Sequence, residues 1–229
     1  MTSSDNIFEQ GKVLLINKPY QWTSFEVVKK VRYLTNTKKV GNAGTLDPLA
    51  TGLLIVCTGK FTKKINEYMA LEKEYSGTIT LGAITPTYDL ESEPVNYKAV
   101  EHITPSELER AAETFKGSIM QTPPIHSAIK IKGKRAYDLA RKGLEIQLDA
   151  RRITISEFTL TKIDLPTVHF KVVCSTGTYI RSLANDFGEK LGCGGYLTSL
   201  CRTRIGNFLL VDAQTIEELQ ESLVIRTGK

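Results

Sequence analysis

Gly41 to Gly52 reads GNAGTLDPLATG, and its one ionisable residue is Asp47, set between Leu46 and Pro48. In a chain that is 24% charged, a stretch thinned to a single carboxylate admits two readings. One is a turn: aspartate bonds its own backbone, proline fixes φ, and glycine supplies positive φ. The other is a carboxylate in a dry, backbone-lined pocket, able to act as nucleophile or as base. A second group lies between Ala128 and Arg152. It holds eight bases (Lys130, Lys132, Lys134, Arg135, Arg141, Lys142, Arg151 and Arg152) against three acids, Asp138, Glu145 and Asp149. That local excess equals the net charge of the whole chain, +5; elsewhere the signs balance. A basic stretch on a neutral body suggests an anionic partner, nucleic acid foremost, with a solvated loop as the alternative.

Other chemistries find no support. The four cysteines, Cys57, Cys174, Cys193 and Cys201, show no C-x-x-C pairing, and His102, His126 and His169 are scattered. No metal site is read from them, and each cysteine is expected to be a small buried apolar residue. There is no P-loop and no dinucleotide fingerprint. The apolar run Leu53 to Cys57 is far short of the roughly 20 residues of a membrane span. The start, MTSSDNIFEQ, is polar and acidic and is no signal peptide. A soluble, cytoplasmic protein is expected.

Alternating strands and capped helices must position these groups. Val13 to Ile16 reads as a strand that breaks at Pro19. TSFEVVKKVRYL reads as a helix: Thr23 and Glu26 form a capping box, and Phe25, Val28 and Val31 are expected on its inner face. LLIVCTG reads as a buried strand. EYSGTITLG reads as a half-buried one, with Tyr75, Gly77, Ile79 and Leu81 on one side. ITPSELERAAETF is a second capped helix, from Thr104 with Pro105 and Glu107. VHFKVVC alternates Val168, Phe170, Val172 and Cys174 as a strand. TYIRSLANDFGEKLG follows as a helix, with Ile180, Leu183, Ala184, Phe187 and Leu191 inward and Gly192 as its stop. Arg181 is either on that helix's surface or at the core edge. RAYDLARKG has helical spacing through Tyr137 and Ala140, and TIEELQES is the last helix. Without strict βαβ alternation, the expected class is α+β.

Four blocks, in order, carry a resemblance: NKPYQWTSFEVVKKVR; GNAGTLDPLATGLL; QTPPIHSAIKIKGKRAYDLARKG; and CSTGTYIRSLANDFGEKLG followed by LTSLCRTRIGNF. Together they resemble the TruB family of pseudouridine synthases, which act on the T-loop uridine of tRNA at position 55. The resemblance runs from about Gly11 to Leu219.

It implies the pseudouridine synthase fold, a mixed and largely antiparallel sheet flanked by helices. A single catalytic domain is expected over 1–229, with its core at about 11–219 and a basic RNA-gripping insertion at about 121–152. The activity implied is isomerisation of tRNA uridine by base flipping, with no cofactor and no metal. Asp47 matches the family's catalytic aspartate, as nucleophile or general base, and Arg181 the arginine that pairs with it. Tyr75 matches the tyrosine that stacks on the target base. Tyr179 matches a second pocket tyrosine and Leu200 an apolar pocket residue; without the resemblance these three read as core. Lys130, Lys132, Lys134, Arg135, Arg141 and Lys142 become candidates for phosphate contacts to the T-arm. The implied partner is tRNA, with no membrane and with the enzyme a monomer.

Two departures stand out. The C-terminal RNA-binding (PUA-type) module of longer members is expected to be absent, and Asn42 stands where members usually carry histidine. The loss of that histidine leaves open a tRNA-binding folding helper with weak or no catalysis. The opening stretch suggests a pocket in which Asp47 acts alone.

Overall fold

A computed structural model describes residues 6–127, 130–131, 134–135 and 148–227. These form two compact units. One comprises the chain up to Tyr75 and from Leu200 onward; the other is Ser76–Ser199.

The first unit starts with a short helix α1, Ile7–Gln10, then β1, Val13–Lys18, and α2, Ser24–Thr35. The capping box at Thr23 and Glu26 forms as the sequence predicts, and Asn36 ends α2 in the left-handed region at φ 47°. β2, Val40–Ala43, and β3, Ala50–Thr58, follow. After a 3-10 segment come α3, Ile65–Ala70, and the start of β4, Lys73–Leu81.

β3 organises this unit. β1 runs antiparallel along one edge, from Val13 opposite Cys57 to Lys18 opposite Gly52. β2 pairs with the far end of the other edge, Val40–Ala43 against Ile55–Thr58. The apolar run LLIVC is explained by burial on both faces. Leu54 and Val56 pack with Ile16, Val27, Val28, Val31, Ile216 and Leu219, while Leu53, Ile55 and Cys57 pack with Ala43 and Ile205. A strand covered on both sides has no polar alternation to show.

In the second unit β4 continues, followed by α4, Pro105–Glu113, and β5, Gly117–Gln121. The capping box at Thr104 and Glu107 forms, with Pro105 in the first turn. β6, Lys130–Ile131, and β7, Lys134–Arg135, pair antiparallel. β8, Arg151–Asp164, lies between β5 and β9, Thr167–Cys174, antiparallel to both. α5, Ile180–Lys190, precedes β10, Gly195–Ile205. Ile180, Leu183, Ala184 and Phe187 are buried as expected; Leu191 is the half-buried C-cap, and Gly192, at φ 75°, follows it directly as the stop. Phe187 meets Phe158 edge to face at 5.6 Å, and Phe158 meets Phe170 at 6.0 Å. Gly188 is obligatory there: a Cβ would lie 2.1 Å from the nitrogen of Gly195.

β4 and β10 each pass through both units. Thr78 and Ser199 share a 2.7 Å hydroxyl contact in the second unit, and Thr203 donates to the Glu74 carboxylate over 2.8 Å in the first. Back in the first unit, β10 runs parallel to β3, Leu200–Arg202 against Ala50–Gly52, on the edge shared with β2. β11, Phe208–Leu209, returns on β10, and α6, Ile216–Thr227, packs on α2 and extends beyond the predicted TIEELQES. The sheet is therefore mixed, mostly antiparallel and flanked by helices, an α+β fold.

One expectation fails. Phe25 does not join Val28 and Val31 on the inner face of α2; Val27 does, and Phe25 is 64% exposed. The contacts made by β3 and α6 centre on Val27, Val28 and Val31, which turns Phe25 outward.

Candidate active site

In the first unit, Asp47 sits half-buried on the turn between β2 and β3, and its carbonyl accepts from Ala50 N–H at 3.1 Å. The turn reading and the pocket reading are thus compatible. Three side chains from elsewhere fix this turn. Ser24 Oγ donates to the Leu46 carbonyl (3.1 Å) and accepts from the Leu46 N–H (2.9 Å). The Lys18 ammonium, fully buried, donates to the carbonyls of Pro19 (2.9 Å), Pro48 (3.2 Å) and Trp22. The Arg202 guanidinium, also buried, donates from Nε to Leu53 O at 2.8 Å and from Nη2 to Gly44 O at 2.9 Å. Arg202 thus bonds the backbone on both sides of Asp47.

The electrostatics differ from the expectation that Asp47 acts alone. Burial pushes the Lys18 amine down to about 8 from 10.5, while the charges of Asp47 and Glu26 oppose the shift and Arg202 adds to it. Asp47 therefore shares its surroundings with a buried cation. GNAGTLDPLATG has one charge because the others come from distant parts of the chain. A carboxylate on a turn so constrained can attack an electrophilic carbon or accept a proton with little reorganisation.

Other predicted residues of this unit take definite places. Asn42 lies half-buried on β2 opposite Val56. Leu200 is paired with Ala50, three residues past Asp47, and so is brought to the base of the turn. Tyr75 is buried on β4.

In the second unit, Arg181 is buried in the first turn of α5, not on the helix surface. Its Nε lies 3.6 Å from Asp89 Oδ2, and its terminal nitrogens donate to Thr87 O and His126 O, each at 3.1 Å. Gln121, also buried, accepts from Tyr179 N–H at 2.8 Å and donates to Tyr179 O at 3.0 Å, which fixes the entry to α5 beside Arg181. Ser182 Oγ donates to Thr122 O at 2.8 Å. A fixed, buried guanidinium is suited to stabilising negative charge.

Lys18, Ser24 and Arg202, which hold the Asp47 turn, and Asp89, beside Arg181, are not singled out by the sequence. Lys18 had a signal: Leu14, Ile16 and Lys18 alternate on one side of β1, so burial of Ile16 carries Lys18 inward. Asp89, in TYDLES, had none. Among the RNA-binding candidates, Lys130, Lys134 and Arg135 fall on β6 and β7, while Lys132, Arg141 and Lys142 lie outside the described residues, as do Tyr137 and Ala140. Among the described residues no three His, Cys, Asp or Glu side chains gather to hold a metal ion, and no helix is long and apolar enough to cross a membrane.

The sequence matches the TruB family pseudouridylate synthase N-terminal domain over residues 32–180 and the tRNA pseudouridylate synthase B C-terminal domain over residues 181–228. The tRNA pseudouridine synthase B of Phocaeicola vulgatus is 50% identical over 222 residues, covering 94% of each chain. The protein of the same name from Flavobacterium johnsoniae is 51% identical, over 93% of this chain and 96% of its own. Among solved structures, an H/ACA RNP bound to a substrate RNA containing 2'-deoxyuridine contains a chain that is 25% identical, with a TM-score of 0.72 over 97% of this chain. The present chain spans 57% of that one.

Proposed function

The chain belongs to the TruB family of pseudouridylate synthases, and from that premise we propose that it isomerises the T-loop uridine of tRNA to pseudouridine, with Asp47 acting on the ribose. The bond from C1' to N1 of uracil breaks, the base turns, and a bond from C1' to C5 forms. The C5 proton leaves and N1 gains one, so product and substrate have the same composition and no redox agent is consumed. Asp47 either bonds covalently to the sugar or removes a proton from it; the products balance in both cases.

The remaining residues follow from what the reaction requires. Extracting the uridine costs about a few kcal/mol. Stacking on Tyr75 offsets roughly 1–3 kcal/mol of this. Tyr179 and Leu200 provide further pocket walls, and Asn42, which does not titrate, positions rather than transfers protons. Arg181 supplies positive charge to the reacting centre, oriented by Asp89. The basic residues between Lys130 and Lys142 grip the T-arm through its phosphates.

The observation that supports this reading best is the bracing of the Asp47 turn by Ser24, Lys18 and Arg202. Asp47→Asn keeps the size of the side chain and removes its charge. The variant is expected to make no pseudouridine on an unmodified tRNA transcript, with tRNA affinity within a few-fold of wild type. Sustained turnover by a clean Asp47→Asn preparation removes Asp47 from the mechanism. A wild type that binds tRNA and yields no product is a binding protein instead.

A further inference from the structure

The reaction leaves the outer side of α2 unused. Its inner side is Ser24, Val27, Val28, Val31 and Thr35. Opposite them, at helical spacing, stand Phe25, Lys29, Arg32 and Tyr33, with Phe25 64% and Tyr33 79% exposed. Two large aromatic rings thus stand in water along one helix, flanked by bases. Each ring already has a cation beside it: Lys29 Nζ is 6.0 Å from the Phe25 centroid and Lys30 Nζ 5.9 Å from that of Tyr33.

The charge identifies the occupant. Glu26 is the one acid of α2, and its carboxylate is engaged in the cap by Thr23 N–H and Oγ1. From Tyr20 to Val40 there are five bases, Lys29, Lys30, Arg32, Lys38 and Lys39, against that one acid. The acids nearby belong to other helices: Glu217, Glu218 and Glu221 to α6, and Glu9 to α1, where its carboxylate accepts from the Lys38 N–H at 2.8 Å. Cations interleaved with exposed aromatic faces suit phosphates and unstacked bases together. The same helix begins at the candidate catalytic turn, because Ser24 bonds Leu46 and the Gln21 N–H donates to Pro48 O at 2.9 Å.

We propose that the outer face of α2 is an RNA-binding surface that takes the substrate strand as it leaves the reacting nucleotide, with Lys29, Lys30 and Arg32 on phosphates and Phe25 and Tyr33 offered to bases. The proposal rests on the reading of Asp47 as the reaction centre, beside which this face begins.

The test is tRNA affinity against salt concentration for the full chain and for K29Q/K30Q/R32Q, with melting temperatures measured to show that both are folded. Each lost phosphate contact lowers the log–log slope by roughly 0.7–0.9, so a decrease of about 2 is expected, with affinity at physiological salt down roughly ten-fold or more. Lys162→Gln, an exposed residue paired with Asp164, serves as control and keeps the wild-type slope. A photo-crosslinking side chain placed at Tyr33 is expected to capture labelled tRNA, and unlabelled tRNA added before irradiation is expected to prevent that capture. An unchanged slope in the triple variant of an enzyme that does make pseudouridine overturns this surface alone. A crosslink in cell extract that goes to protein and spares tRNA overturns it in favour of a protein partner. A wild type with neither product nor salt-dependent tRNA binding overturns the surface and the proposed function together.

Discussion

Lys18 links the chemistry at residue scale to pH. Its amine is protonated below about 8 and neutral above, because burial disfavours the ammonium more than Asp47 and Glu26 favour it. If the cation supports Asp47, the single-turnover rate on tRNA falls as pH rises through about 8, and Lys18→Met is slow at neutral pH and lacks that fall. Stability moves in the opposite sense. The folded pKa lies below the ordinary 10.5, so the unfolded chain binds more protons between about 8 and 10.5, and Lys18's contribution to stability rises with pH across that window. Activity that declines while thermal stability holds or rises separates the two effects; a wild-type rate that stays flat to about pH 9.5 shows that the Lys18 charge plays no part in the chemistry. The sequence made Lys18 readable only through the alternation of β1. It gave no notice that the ammonium caps three carbonyls around the Asp47 turn, since that depends on where Pro48 and Trp22 end up in space.

At the scale of elements, the parallel pairing of β3 and β10 has little tolerance. Gly52 has φ +100°, and a Cβ there would lie 2.4 Å from Arg202 O and 2.7 Å from Arg202 N. Gly52→Ala is expected to lose roughly 1–3 kcal/mol to overpacking, with about 1–2 more for the positive φ. Chemical denaturation would show the loss as a lower midpoint, and activity would fall because Arg202 also braces the turn; a variant with an unchanged midpoint refutes this account. α2 and α4 were legible because their start signals are local. β8 was not, and the reason is a bulge. Ile153 and Ile155 face the core, the register shifts between Ile155 and Glu157, and Phe158 then continues inward on the other phase. A period of two broken in the middle leaves no pattern in the sequence. β10 hides for a different reason: Arg202 is buried where an apolar residue is expected, so its polarity reads as surface.

For the whole molecule, the net charge of +5 matches the excess between Ala128 and Arg152. Neutralising Lys132, Lys134 and Arg135 together is expected to weaken tRNA binding and to reduce the salt slope by roughly 0.7–0.9 per lost contact; an unaltered slope means that these residues point away from RNA. Composition reveals this charge asymmetry. It does not reveal the division of the chain into a unit built from its two ends and a unit built from its middle, which emerges only from pairing. That division sets an order of events during synthesis. Arg202 bonds Gly44 and Leu53, partners 158 and 149 residues earlier in the chain. While the ribosome makes the middle of the protein, Ser24 and Lys18 have already been made and the third brace of the Asp47 turn has not. The turn is completed only when the last tenth or so of the chain emerges. Closing so long a loop is slow and entropically costly, so a nascent or prematurely terminated chain ending before Arg202 carries the aspartate with that frame incomplete.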